Sequence, residues 1–321
     1  MTDAHAILSE IGFGPTYFVQ GRASVADLFN PGKRCGIYVL HFATGEYYVG
    51  QAIDVTRRYV QHCRNHTDIQ RINFKPVRAD LLNEIERATI EAFERRGFEL
   101  RNIALTSIPK GESDFDLVLS DRDQTIWLNN PDVFHLEGSR PVDPDLRRKY
   151  ARHYARLMGK PAAEEAILVL REYVRTGIPA CRAGEISFWS CSCLPQGSNR
   201  EIAVYSRINV YWQEVFTAFL SNGDLRFSWH IARSPLEHAF GKPLRRLMKS
   251  YPDVEIFDHR YAPGGQDQIN LEARGAATAL KLLKDTTILY ATRLFNLRLM
   301  KKGPCAFGRY HCMSLADRLI D

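Results

Sequence analysis

Between residues 36 and 102 the chain carries side chains that together can move a proton, hold a phosphate and bind a hard cation. Two phenols, Tyr38 and Tyr48, stand in the tripeptides Gly36-Ile37-Tyr38 and Tyr48-Val49-Gly50, with the turn-forming run Ala43-Thr44-Gly45-Glu46 between them. Arg58 and His62 are four residues apart and share one face of a helix. Glu86 falls in the row Leu82, Glu86, Ile90, Phe93, where an apolar residue is the rule; Glu84 competes with it. The planar guanidinium of an arginine matches phosphate oxygens. A single carboxylate suits Mg²⁺, which prefers oxygen ligands and keeps several waters. A phenol, with an ordinary pKa of about 10, becomes a base near neutrality only where positive charge favours its phenolate. Taken singly, each residue has a plainer reading. Gly-Ile-Tyr starts many strands, Arg58 and His62 fit a solvated helix, Glu86 can pair with Arg87 or Arg95, and Asn102 can be a turn residue.

Taken together, the stretch Gly36 to His62, with Glu86 and Asn102 downstream, resembles the GIY-YIG nuclease superfamily over about residues 34–106. Gly36-Ile37-Tyr38 matches the first element and Tyr48-Val49-Gly50 the second, with Val in place of Ile. The resemblance implies a metal-dependent DNA endonuclease that hydrolyses phosphodiester bonds. It makes Tyr38 the base, assisted by Tyr48, and sets Arg58 on a phosphate oxygen. His62 holds the scissile phosphate or relays a proton, with His66 as rival. Glu86 is the ligand of Mg²⁺ (or Mn²⁺), and Asn102 bonds phosphate or orients Glu86. Lys75 is the nearest match to a lysine that the family sometimes places beside the metal.

These residues need elements to position them. The runs 35–42 and 47–50 around Gly45 predict a hairpin, Asp54 caps a helix to about 65, and 69–77 reads as a third strand. A helix from about 79 to 96 follows, with Gly97 as its C′ residue. The fold class expected is α+β: a core with a small three-stranded antiparallel sheet flanked by helices over 35–106, plus a second α+β domain. Residues 1–34 read as a lead-in with a brief capped helix after Ser24, 107–143 as an acidic connector, and 144–321 as the second domain. In that domain helices are predicted at about 144–158, 162–175, 235–250, 273–284 and 287–301, and Asn222-Gly223 predicts a tight hairpin.

The second domain is the natural reader of DNA. Arg148 and Arg152 on its first helix, and Arg207 on a strand near 204–213, are candidate substrate contacts, as is Arg57 in the first domain. That strand is expected to set Tyr205, Arg207, Asn209, Tyr211 and Gln213 on one face. Cys191-Ser-Cys193, with Cys181, reads as strand thiols rather than a zinc site.

With 43 Lys+Arg against 37 Asp+Glu, the net charge of +6 permits a polyanionic partner without requiring one. Seven cysteines with no CxxC pair point to a reducing compartment, and no run approaches a membrane span, so a cytoplasmic protein is expected. Size and a single nuclease domain favour, by analogy, a restriction or defence role. The competing reading is a catalytically silent fold serving as a DNA-binding or regulatory module; RNA cleavage is a third.

Overall fold

The computed structural model describes residues 4–102, 106, 113–196 and 202–321, and the chain divides into two compact units, 1–111 and 112–321. The first unit contains α1 (Ala4–Glu10), β1 (Tyr17–Phe18), β2 (Gly36–Phe42), β3 (Tyr47–Ala52), α2 (Val55–Asn65), β4 (Ile69–Pro76) and α3 (Leu82–Arg95). Its sheet is antiparallel, in the order β1-β4-β2-β3, so it has four strands, not the three expected. The extra strand comes from the lead-in, where Tyr17 pairs with Ile72 and Phe18 with Arg71. Ser24 starts no helix; its hydroxyl accepts from the Ala26 amide in a turn.

Alternation along β2 divides the unit into two cores. Tyr38, Leu40 and Phe42 face α2, through Val55 and Tyr59, and the lead-in residues Val19, Val25 and Phe29. Ile37 and Val39, with Val49 of β3, face α1 and the Leu82–Ile90–Phe93 stripe of α3. The helices begin where the sequence supplies caps: the Asp54 carboxylate accepts from the amides of Thr56 (2.9 Å) and Arg57 (3.4 Å). Gly97, at φ +76°, follows α3.

The second unit contains α4 (Asp121–Asn129), α5 (Pro144–Met158), α6 (Ala163–Gly177), β5 (Trp189–Cys193), β6 (Ile202–Val210), β7 (Gln213–Ser221), β8 (Asp224–Ile231), α7 (Arg233–Phe240), α8 (Arg245–Ser250), β9 (Val254–Phe257), β10 (Ile269–Arg274), α9 (Ala276–Lys284), α10 (Thr286–Met300) and α11 (Met313–Ile320). One antiparallel sheet has the order β5-β6-β7-β8-β10-β9. The Asn222-Gly223 turn has φ of +51° and +84°, the doubly left-handed link that matches strand twist. One cross-strand row, Cys191–Ile208–Phe216–Trp229–Leu271–Ile256, packs in the core with α6, α9, α10 and α11. The neighbouring row, Ser192–Arg207–Thr217–Ser228–Glu272–Glu255, lies on the other face and is polar on every strand.

Two expectations are revised here. The described part of the acidic stretch, residues 113–143, is part of the second unit, with Phe115 and Trp127 fully buried in its core. Arg293, 1% exposed, fixes it by donating to the carbonyls of Trp127, Asn130, Pro131 and Val133 at 2.5–3.2 Å. Two of its carboxylates, Asp121 and Asp116, lie 2.8 and 3.4 Å from Lys301. In β6 the register shifts between Val204 and Ser206, which turns Tyr205 into the core, its hydroxyl on the Pro161 carbonyl at 2.8 Å. Tyr205 therefore does not share a face with Arg207. Cys181, Cys191 and Cys193 are buried thiols, and no group of three or more potential metal ligands occurs among the described residues. Among those residues, no helix is long and apolar enough to cross a membrane.

Candidate active site

Four of the singled-out side chains meet on one face of the first sheet. The Tyr38 hydroxyl lies 2.7 Å from His62 Nε2, and Arg58 Nε donates to the same hydroxyl at 3.3 Å. The Tyr48 ring is stacked on that of Tyr38, centroids 6.2 Å apart, and sits 4.7 Å from the His62 ring. Spacing explains the meeting: Val55, Tyr59 and His62 form the inward stripe of α2, while Arg58 flanks it and extends to solvent, where Nη1 donates to Gln61 at 2.9 Å.

The glycines of the two tripeptides are steric requirements. Tyr38 pairs with Gly50 across the β2–β3 ladder, and a Cβ on Gly50 would lie 2.4 Å from the Tyr38 hydroxyl oxygen and 2.8 Å from the Tyr48 ring. A Cβ on Gly36 would lie 2.1 Å from the Lys75 carbonyl oxygen. Without side chains at these points the sheet closes and Tyr38 can lie flat across Gly50.

Glu86 reaches this cluster by an indirect route. Its helix, α3, packs on the opposite face of the sheet from α2, so contact is made at the free edge of β3. Alternate residues of that edge turn their amides outward. Tyr47 N–H donates to the Glu99 carbonyl (2.8 Å) and Val49 N–H to Asn102 Oδ1 (2.9 Å); the next outward amide, that of Gln51, lies beside the Glu86 carboxylate. Burial raises the Glu86 carboxyl above its ordinary pKa, against the pull of the Gln51 amides and the Arg58 guanidinium. The Gln51 side chain is itself held by Asn83, its Nε2 donating at 2.7 Å. Sequence reasoning missed Gln51; its only signal was its position one residue after the second tripeptide.

Asn102 has a different place from the one expected. Besides accepting from Val49 N–H, its amide donates to the Val49 carbonyl at 2.6 Å, and the residue is 6% exposed. Both halves of the amide are committed to β3 between Tyr48 and Gly50, so Asn102 positions the strand. Lys75 is also elsewhere, donating to the Ile11 carbonyl at 2.7 Å. His66 stacks behind His62 at 6.0 Å between centroids. Arg57 is exposed with Asp54 at 3.9 Å. In the second unit Arg148 is exposed and paired with Asp145, Arg152 is exposed, and Arg207 is half-buried in an ion pair with Glu214 at 2.6 Å.

The electrostatics change the expected division of labour. Burial, then the neighbouring Tyr48, raises the Tyr38 phenol well above its ordinary range; Arg58 pulls it down but does not reverse the balance. Tyr38 is therefore a neutral phenol at pH 7. Burial, Arg58 and His66 lower the His62 imidazole to about 4, so it too is neutral at pH 7. A neutral donor thus faces a neutral acceptor. With the proton on Nδ1, His62 Nε2 accepts from Tyr38, and the imidazole is the stronger base of the two.

The chain matches no model of a known protein family, no curated protein and no solved structure.

Proposed function

We propose that the first unit is a phosphodiester hydrolase of the GIY-YIG type, acting on DNA as a metal-dependent endonuclease, with restriction or defence as its setting. The observation that carries this reading is the convergence of Tyr38, Tyr48, Arg58 and His62, with the Glu86 charge felt by both Tyr38 and Arg58. A water against the Tyr38 hydroxyl gives its proton to that oxygen while the phenolic proton passes to His62 Nε2. No free phenolate has to form. The water oxygen makes the new P–O bond as the opposite P–O bond breaks; the leaving alkoxide takes a proton from a solvent water, and His62 returns its proton to solvent. Arg58, half in solvent and half on the phenol, neutralises charge on the non-bridging oxygens as it grows.

A single half-buried carboxylate with an amide neighbour fits Mg²⁺ or Mn²⁺, whose remaining ligands are water and phosphate oxygens. When bound there, the cation supplies positive charge to the phosphate in the transition state. Glu86 would hold it, with the Gln51 amides positioning the Glu86 carboxylate.

Supercoiled and linear DNA incubated with Mg²⁺ test the reading, with wild type set against Tyr38→Phe and Glu86→Ala. Cleavage by wild type and loss of at least about a hundredfold in each variant supports the hydrolase. The second reading, a silent fold that binds DNA, is favoured by one observation: Tyr38 is only 1% exposed. Binding without cleavage of any DNA form by wild type would establish that reading instead, and RNA in parallel reactions tests the remaining substrate.

A further inference from the structure

On the polar face of its six-stranded sheet the second unit carries a cavity of about 630 Å³. We propose that this cavity binds an unstacked nucleobase, presented by a nucleic-acid strand or by a free nucleoside. The choice of a nucleobase over other planar heterocycles rests on the reading of the chain as an enzyme of nucleic acids.

Its size lies within the range of about 300–1,000 Å³ typical of small-molecule sites. Five aromatic residues line it: Tyr150, Trp212, Tyr261, Phe307 and Tyr310. Trp212 is 63% exposed, an indole left in water at the rim, and Tyr310 is 43% exposed. Trp212 owes its position to a two-residue link between β6 and β7 whose first residue, Tyr211, is held at φ +54°. A bulky residue avoids that conformation unless its surroundings impose it. Exposed rings at a cavity mouth are stacking platforms, and every base has a face to stack.

The wall supplies polar groups without partners. Gln213 is 1% exposed and Ser192 8%, yet Gln213 Oε1 and Ser192 Oγ have no hydrogen-bond partner among the described residues, and neither does His153 Nδ1. A buried polar atom left unpaired is costly, so a small side-chain rotation that brought these atoms to donors on a ligand's edge would be favoured. The cavity's charges are already neutralised, Arg207 being paired with Glu214. That suits a neutral heterocycle better than a phosphate. Phosphates of a strand would instead meet α5, which gives Tyr150 and His153 to the wall and exposes Arg152 and Arg156 to solvent.

The test uses the full chain in EDTA, so that nothing is cut. A short oligothymidylate with one central 2-aminopurine is titrated, its terminal label reporting binding by anisotropy and the 2-aminopurine emission reporting capture of the base. Emission should change saturably with binding. Trp212→Ala and Tyr310→Ala, both at exposed rings, should weaken the affinity roughly five- to 150-fold each, the span of one base–aromatic stack. Free 2-aminopurine riboside separates the sources: equal affinity identifies a free nucleoside, and tighter binding of the strand identifies a base within a polymer. Unchanged emission at saturating anisotropy, unaffected binding by both variants, or binding of neither probe overturns the proposal. Tyr38→Phe separates the two units, because it should abolish cleavage in Mg²⁺ and leave the 2-aminopurine titration as in wild type.

Discussion

Replacing Asn102 with Ala separates a residue that positions the site from one that touches substrate. Its amide makes two buried hydrogen bonds to the main chain of Val49, at 2.9 and 2.6 Å. Truncation removes both and leaves a buried N–H and C=O unpaired, at about 1–3 kcal/mol for each group. The sum, about 2–6 kcal/mol, is a large share of the roughly 5–15 kcal/mol that holds a domain folded. For a domain of this size each kcal/mol moves the melting temperature by about 4–8 °C. Thermal melts of Asn102→Ala should therefore fall by at least about 8 °C. Asn102→Asp should not rescue it, because a carboxylate set against the Val49 carbonyl oxygen offers no donor. Cleavage measured across temperature should be lost in step with unfolding and largely recover in the cold. A variant that melts as wild type does and yet cuts nothing would refute this placement and put the amide on the phosphate.

Other consequences follow from the same geometry. Gly50→Ala puts a Cβ 2.4 Å from the Tyr38 hydroxyl oxygen, so it should remain folded by circular dichroism while cleavage drops by on the order of a hundredfold, as for a 1 Å misplacement; a wild-type rate would show that Tyr38 need not lie across Gly50. Burial lowers both His41 and His62 from 6.5 to about 4, so between those values the unfolded chain binds protons that the folded one refuses. Their contribution to stability is complete above pH 6.5 and is lost as pH falls toward 4; urea midpoints should decline over that window and decline less in His41→Gln and His62→Gln. Midpoints that rise on acidification would contradict the assignment. Arg293→Ala removes a buried cation from four carbonyls of the 127–133 segment, and should destabilise the second unit by at least about 3 kcal/mol and open that segment to protease; unchanged stability would return the segment to the status of a connector.

What could be read from the sequence was local. Asp54 as a cap, the Asn222-Gly223 turn and the extent of α5 each depend on a few neighbouring residues. What could not be read depends on pairings between distant segments. Asn102 is claimed by Val49, 53 residues away, because the strand edge needs partners there. The strand Tyr17–Phe18 is too short to show a period and exists only because β4 has a free edge. The acidic stretch read as a connector able to dock on a domain, but Lys301 and Arg293, far along the chain, are what bind residues 113–143 into a core. Tyr205 faces inward because of a bulge, which shifts every later residue of the alternation by one. At the candidate site the residue types were legible, but the ordering of their proton affinities was not. Burial outweighs Arg58 at Tyr38 and keeps the phenol protonated, and burial lowers His62 as well, so both groups stand neutral.

Mg²⁺-dependent nicking of supercoiled DNA, measured for wild type and Glu86→Ala over a range of Mg²⁺ concentrations, bears most directly on the hydrolytic reading. Wild type should nick with saturating dependence on Mg²⁺, and Glu86→Ala should stay at background at every concentration although it still folds and still binds DNA. Equal, metal-independent nicking by both proteins, or none by wild type at any concentration, would contradict it.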